Sequence, residues 1–213
     1  MNFSVIRNAD TEFGKVIAIA LAGLGRHLIL LGRDLVMLES IGRNLRTHYQ
    51  VKVFFFLAED HSTQGILNVC EVINNDFEVD LFVNYTDIDF YGKFIDRSIH
   101  KLDRDLRTNY LSGPIYTHQL LPNLMLHANA YVLNLYLSYV SKPSQWTTIL
   151  KAQNINFSNY LGEDMEDSGV IVKACNIEIN DMNRSTNDSD EYLALARALL
   201  NDLFHHQNMN VSI

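Results

Sequence analysis

The sequence predicts an α/β protein in which helices cover both faces of one parallel β-sheet. Continuous apolar runs, such as HLILLG at 27–32, alternate with segments whose apolar residues recur every three or four positions. The first pattern is typical of strands buried on both faces, and the second is typical of helices packed against a sheet. The length of 213 residues suits one such domain, so we expect a single domain over residues 1–213.

The elements of the first half can be read in order from these patterns. A short apolar strand at 2–7 precedes a helix whose apolar face ends at Leu24, where Gly25 is a typical stop signal. The second strand is HLILLG, and a second helix follows with its apolar residues spaced from Leu35 to Leu45. Further elements are a strand at 51–58, a helix at 63–74 and a strand at 79–85. We expect the three phenylalanines at 54–56 to lie in the core.

The second half continues the same alternation. It predicts a long helix at 96–121, a strand at 130–140, a long helix at 147–165, a strand at 169–179 and a final helix capped by Ser189. Parallel strands joined by helices require right-handed crossovers. The predicted architecture is therefore a doubly wound parallel sheet, the Rossmann fold.

Charge and composition limit the partners. The formal net charge is -8 and no basic run occurs, which argues against nucleic acid and anionic membranes as partners. No run of 18 uncharged apolar residues is present, and the N-terminus lacks a signal-peptide core, so we expect a cytoplasmic protein. Cys70 and Cys175 lie in apolar periodic segments, which indicates buried free thiols in a reducing compartment. The His205-His206 pair lacks neighbouring ligands, and we expect no metal site.

Three segments resemble the short-chain dehydrogenase/reductase family. FVNYTDIDFYGKFIDRS at 82–98 is similar to its fourth-strand region, which usually reads Asn-Asn-Ala-Gly, and Asn84 matches the first asparagine. DRDLRTNYLSGPIYTHQLLPNLM at 103–125 resembles its next helix, with Asn109 on the mid-helix asparagine, and SGVIVKAC resembles its sixth strand. The resemblance extends over about residues 3–205. It implies an NAD(P)-dependent oxidoreductase fold and a homodimer or homotetramer formed through the two long helices.

The nucleotide-binding turn of that family is altered here. The family pattern Thr-Gly-x-x-x-Gly-x-Gly falls on RNADTEFG, so Arg7, Asn8 and Glu12 replace the threonine and the first two glycines, and only Gly14 remains. Asn8 tolerates a left-handed backbone, and Gly14 lets the helix pack on the strand. Glu12 would repel a pyrophosphate, although its charge suits an empty helix N-terminus. The turn therefore predicts a preserved fold with impaired dinucleotide binding.

Of the other cofactor positions implied by the resemblance, some match the family and others do not. Arg33 matches an arginine that binds the 2'-phosphate of NADP, and its alternative is an ordinary surface arginine. The adenine-contacting aspartate is either replaced by Leu57 or shifted to Asp60, and Asn176-Ile177 stands in place of the family's Pro-Gly. Asn84 and Lys151 complete the cofactor candidates. The expected ligand is NADP or NAD, another small molecule, or no cofactor.

The catalytic set implied by the resemblance is incomplete. The family uses a serine after the fifth strand and then Tyr-x-x-x-Lys on the next helix. Lys151 matches the lysine, Thr147 stands in place of the tyrosine, and Ser138 lies within one residue of the serine position. A threonine hydroxyl is far less acidic than a phenol, so it cannot serve as the same general acid. Asn109 completes the candidate catalytic set.

Three hypotheses remain open. The first is a divergent member of this fold with lost redox activity and weakened nucleotide binding. The second is an NADP-preferring reductase that uses Lys151, Asn109 and Ser138, with Tyr136, Tyr139 or water as the acid. The third is a small-molecule or protein binding module that uses the cleft at the carboxyl ends of the strands.

Overall fold

The computed structural model describes residues 1–87, 94–139, 145–179 and 188–205. The strands are β1 (Asn2–Ile6), β2 (His27–Gly32), β3 (Val53–Leu57), β4 (Glu78–Asp87), β5 (Ala130–Tyr139) and β6 (Val170–Ile179). The helices are α1 (Glu12–Gly23), α2 (Leu35–Tyr49), α3 (Thr63–Asp76), α4 (Ile99–Leu106), α5 (Ser112–Leu124), α6 (Gln145–Asp164) and α7 (Asp188–His205). A short 3-10 helix, Phe94–Asp96, precedes α4, and a π-helical segment, Arg107–Leu111, joins α4 to α5. We call this segment the π-turn.

The strands form one parallel sheet in the order β3-β2-β1-β4-β5-β6. This arrangement confirms the predicted doubly wound fold. The chain moves outward from β1 to β3 and then returns to place β4 on the other side of β1. Such a reversal leaves a crevice at the carboxyl ends of the two central strands, which is where open α/β sheets bind ligands.

Successive side chains of β1 point into two different cores, as the alternation of a strand requires. Ile6 belongs to the layer built with α1, α2 and α7, whereas Val5 belongs to the layer built with α3 and α5. Both side chains are completely buried. Arg7 directly follows β1, and its side chain lies on the same side of the sheet as that of Val5, at the edge where the crevice opens.

Several sequence expectations need correction. Phe54 is 41% exposed because β3 is an edge strand, so the three phenylalanines are not all in the core. The helix expected at 96–121 begins at Ile99, and it is not one regular α-helix because the π-turn lies within it. The last helix begins at Asp188, which places Ser189 within its first turn instead of before it. Cys70 is buried as expected, whereas Cys175 is only half-buried, and both are free thiols.

Two further observations concern the described residues as a group. None of their helices is long and apolar enough to cross a membrane. They also bring together no group of three or more histidine, cysteine, aspartate or glutamate side chains that could hold a metal ion. His205 ends α7, and His206 lies outside the described residues.

Candidate functional site

The turn between β1 and α1 keeps its shape without the family's glycines. Asn8 adopts the expected left-handed backbone, with φ of 56°, and its Nδ2 donates to the carbonyl oxygen of Tyr85 at 2.7 Å. A Cβ at Gly14 would lie only 2.1 Å from the carbonyl oxygen of Asn8. Gly14 is therefore required for the close approach of α1 to the turn, whereas asparagine replaces glycine at position 8 because its side chain ties the turn to β4.

The N-terminus of α1 is capped by the protein itself. The Oγ1 of Thr11 accepts a hydrogen bond from the backbone N–H of Gly14 at 3.1 Å. Glu12, the first residue of the helix, is exposed, and its negative charge lies at the positive end of the helix dipole. This arrangement stabilises an empty helix N-terminus. Glu12 does not fill the crevice.

Arg7 fills the polar space between the ends of the central strands and α5, and its exposure is 0%. Its Nε and Nη2 donate to Oδ2 of Asp60 at 3.0 and 2.7 Å. Its Nη1 donates to Oδ1 of Asn84 and Oγ1 of Thr86, each at 3.0 Å. Its Nη2 also donates to the carbonyl oxygen of Thr108 and to Oγ of Ser112, each at 2.6 Å. Every donor nitrogen of the guanidinium group thus has a protein partner, and Nη2, which carries two N–H groups, lies within hydrogen-bond distance of three acceptors.

Asp60, a cofactor candidate in the sequence, is the counter-charge of Arg7. The side chains are 1% and 2% exposed for Arg7 and Asp60, so the pair is fully buried. Tyr116 covers the guanidinium, with its ring centroid 5.8 Å from Cζ of Arg7. Burial, followed by the nearby Asp60 carboxylate, raises the pKa of Tyr116 well above its ordinary value. Asp60 is therefore buried between Arg7 and the phenol of Tyr116, and we assign its carboxylate a structural role.

Asn84 carries the polar network from Arg7 into the middle of the sheet. Its Nδ2 donates to Oδ1 of Asn134 at 2.8 Å, and Nδ2 of Asn134 donates to Oγ of Ser158 on α6 at 2.9 Å. A Cβ at Gly113 would approach Nδ2 of Asn84 to 2.5 Å, so α5 packs directly on this amide. Asn84 is therefore buried within a continuous chain of side-chain hydrogen bonds.

Asp10 occupies the carboxyl end of β2, beside the other cofactor candidate, Arg33. Its Oδ2 accepts from the backbone N–H groups of Arg33 at 2.7 Å and Asp34 at 2.9 Å. A Cβ at Gly32 would lie 2.5 Å from this carboxylate. The Arg33 side chain is exposed, and Glu12 supplies a second carboxylate at the start of α1. Sequence reasoning missed Asp10 because it followed only the glycine positions of the turn.

Thr147 and Lys151 lie one helical turn apart on α6, as the sequence predicts. Lys151 forms an ion pair with Glu178 of β6. Ser138 is buried, and its Oγ donates to the carbonyl oxygen of Ile177 at 3.5 Å. The structure therefore directs Lys151 and Ser138 toward β6.

Asn109 lies in the π-turn, and its backbone contacts the phenol of Tyr136. The hydroxyl of Tyr136 donates to the carbonyl oxygen of Asn109 at 2.9 Å, and Oε1 of Gln153 lies 3.4 Å away. Burial raises the pKa of Tyr136 to about 12. The family's Pro-Gly position is also bonded internally, because Nδ2 of Asn154 donates to Oδ1 of Asn176 at 3.3 Å. Leu57 is exposed at the end of β3.

Solved structures with the same architecture span most of this chain. A short-chain dehydrogenase from Sphingobium yanoikuyae in complex with NADPH has a TM-score of 0.80 at 19% identity, covering 94% of this chain and 84% of that one. A metagenomic short-chain oxidoreductase in complex with NADP has a TM-score of 0.81 at 16% identity, covering 99% and 94%. This chain has the short-chain dehydrogenase/reductase fold. The L-sorbose reductase of Gluconobacter frateurii, complexed with NADPH and L-sorbose, shares this short-chain dehydrogenase/reductase fold with a TM-score of 0.79 at 15% identity, covering 95% and 89%.

No protein-family model matches the sequence, and no curated protein matches it either. The likeness is therefore one of short-chain dehydrogenase/reductase fold. It shows how the backbone is folded, and the chemistry of the site depends on its side chains.

Proposed function

We propose that this protein is a non-catalytic binding protein on a short-chain dehydrogenase/reductase scaffold, without tyrosine-dependent hydride transfer. The observation that carries the proposal is the complete burial of Arg7 at the first position of the nucleotide turn. Its guanidinium lies at the carboxyl end of the central strands, yet its donor nitrogens are already bonded to Asp60, Asn84, Thr86, Thr108 and Ser112. None remains to bind a pyrophosphate.

The electrostatics of the turn support weak dinucleotide affinity. The carboxylate of Asp10 accepts hydrogen bonds from the backbone N–H groups that follow β2, and Glu12 places a second carboxylate at the N-terminus of α1. A pyrophosphate brought to this turn would meet the like charges of Asp10 and Glu12. A ligand of this crevice is accordingly a small molecule of lower negative charge or a protein segment.

The missing acid supports the loss of redox chemistry. Thr147 replaces the expected tyrosine, and Tyr136, one of the two phenols that the sequence offers as substitutes, has its pKa raised to about 12. Catalytic acids function best with a pKa near the working pH, so burial moves this phenol in the unfavourable direction. The ammonium group of Lys151 is paired with the carboxylate of Glu178.

A second candidate is an NADP-dependent reductase. One observation favours it: the phenol of Tyr136 lies 2.9 Å from the carbonyl oxygen of Asn109, so an acid group does stand beside the candidate catalytic asparagine. Arg33 is exposed at the end of β2, where its guanidinium could meet a 2'-phosphate. Structures of similar fold contain NADP or NADPH.

We also propose that the protein self-associates through the long helices and works in a reducing, cytoplasmic setting. Tyr110 in the π-turn and Ile149 on α6 are 38% and 49% exposed, and an apolar interface requires such exposed apolar side chains. Two free cysteines agree with a reducing compartment. Light scattering after gel filtration would distinguish a monomer, which contradicts the association proposal, from a dimer or tetramer.

The decisive experiment for function is a titration of the purified protein with NADPH and NADH, followed by nicotinamide fluorescence and by thermal stability. The binding-protein proposal expects no response to either cofactor at millimolar concentration. A saturable NADPH response at micromolar concentration would overturn it and favour the reductase. Arg33→Ala would then identify the site, because it should weaken NADPH and leave NADH unchanged.

A further inference from the structure

The π-turn between α4 and α5 is a local widening of one long helical segment. The backbone N–H of Ser112 donates to the carbonyl oxygen of Arg107, five residues earlier. In a regular α-helix the same N–H would bond to the carbonyl oxygen of Thr108. One residue is therefore accommodated as a bulge, and such bulges are rare and have identifiable causes.

Thr108 receives replacement donors from side chains. The Oγ of Ser112 donates to its carbonyl oxygen at 2.6 Å, and Nη2 of Arg7 donates to the same oxygen at 2.6 Å. Nη2 of Arg7 also donates to Oγ of Ser112 at 2.6 Å, so the hydroxyl is oriented by the guanidinium. A residue at the end of β1 thus reaches into the helix, 101 positions away in sequence, and binds the carbonyl that the bulge exposes.

A second side chain from the sheet binds the next carbonyl. The hydroxyl of Tyr136 donates to the carbonyl oxygen of Asn109 at 2.9 Å. Arg7 directly follows β1, Tyr136 belongs to β5, and both are buried. Two adjacent carbonyls of the π-turn are therefore held from within the sheet.

We propose that Arg7 and Tyr136 are positioning residues that hold the π-turn open and thereby set the rotation of α4 about its axis. One residue added to or removed from a helical turn changes that rotation by about 100°. α4 buries none of its own residues, and Ile99 at its start is 71% exposed. The face that α4 presents to solvent or to a partner therefore follows from the rotation that the π-turn sets, and Leu102, Asp105 and Leu106 are the half-buried residues of α4. This inference does not depend on whether a dinucleotide binds.

A rival cause is present in the chain. Pro114 has no N–H, and its ring crowds the carbonyl group four residues earlier, that of Tyr110. Prolines of this kind commonly distort the preceding helical turn. The two causes act on different carbonyls, so variants can separate them.

The test compares backbone structures of three variants, by crystallography or by NMR, at residues 99–116. The first variant combines Arg7→Met with Asp60→Asn, so that no unpaired buried carboxylate remains. In it we expect the backbone N–H of Ser112 to donate to the carbonyl oxygen of Thr108, and α4 to rotate by about 100°. Asp60→Asn alone is the matched control, because it leaves the bonds of Arg7 to the π-turn in place. Persistence of the bulge in the folded double variant would overturn the proposal. So would closure of the bulge by Pro114→Ala with Arg7 intact.

Tyr136→Phe keeps the proposal testable if the double variant does not fold. Removing one hydroxyl should speed amide hydrogen exchange at 107–113 by about tenfold, whereas exchange in α3 should be unchanged. A merely structural loss would instead raise exchange in both regions together. Unchanged exchange at 107–113 would show that Tyr136 does not hold the π-turn and would also count against the proposal.

Discussion

Nη2 of Arg7 and Oδ2 of Asp60 lie 2.7 Å apart in a fully buried ion pair, and the remaining guanidinium donors are bonded as well. Burial of both charges carries a desolvation cost that offsets much of their attraction, and Oδ1 of Asp60 is buried without a hydrogen-bond partner among the described residues. The pair therefore contributes less to stability as a whole than either member appears to contribute when it alone is removed.

The first prediction follows from this asymmetry. Arg7→Met should lower the free energy of unfolding by about 3–5 kcal/mol, because Asp60 would be left as an uncompensated buried charge. Combining it with Asp60→Asn should recover a substantial part of that loss. Urea denaturation of the single and double variants measures both effects as a double-mutant cycle.

Arg43→Ala provides the control for this cycle. Arg43 and Glu39 form an exposed pair one helical turn apart, at 3.2 Å, and such pairs contribute about 0.3–0.5 kcal/mol. Simple additivity of the Arg7 and Asp60 losses would contradict the proposed coupling.

The second prediction concerns the surviving glycine of the turn. Gly14→Ala should destabilise the protein by about 1–3 kcal/mol, since the added Cβ would lie 2.1 Å from the carbonyl oxygen of Asn8. Gly23→Ala is the matched control at the other end of α1, where the nearest atom to a Cβ is Cε1 of Tyr49 at 3.8 Å. Thermal unfolding should show a loss for the first and no loss for the second. Equal melting temperatures would refute the close-approach argument.

The third prediction uses the raised pKa of Tyr136. An unfolded phenol titrates near 10, whereas burial raises the pKa of Tyr136 to about 12. Between these values the folded protein keeps a proton that the unfolded chain loses, so the contribution is complete below pH 10 and falls as the pH rises toward 12. Tyr136→Phe should reduce the alkaline loss of stability relative to the wild type. Absorbance at the phenolate band should lose one high-pH step in this variant, and loss of a step near pH 10 would contradict the assignment.

The fourth prediction separates the two cysteines. Burial raises the pKa of Cys70 to about 12, and burial together with Asp202 raises the pKa of Cys175 to about 11. Because the thiolate is the reactive form, both should react slowly with a disulfide reagent in the native protein, and half-buried Cys175 should react first. Cys70→Ala and Cys175→Ala identify the phases. Faster reaction of Cys70 would contradict its complete burial.

Periodicity was sufficient to predict the sheet and its helices, because the apolar runs of β1, β2 and β4 are buried on both sides. It could not predict that Phe54 is exposed, since the position of a strand within a sheet is set by tertiary contacts. The left-handed Asn8 was predictable from local backbone preference, and the structure confirms it. The role of Arg7 was not predictable, because its partners lie 53 to 105 positions away and no local pattern connects them.

The separation of these partners has a kinetic consequence. Every neighbouring strand pair is parallel, so each pairing closes a long loop and the assembly is expected to be slow. Arg7 gains its full set of partners only when β3, β4 and the π-turn have all come together. Its hydrogen bonds should therefore form after the rate-limiting barrier, so that the guanidinium mainly retards unfolding while leaving the folding rate nearly unchanged. In this chain the buried guanidinium group of Arg7 therefore stabilises the native state against unfolding and is not part of the folding nucleus.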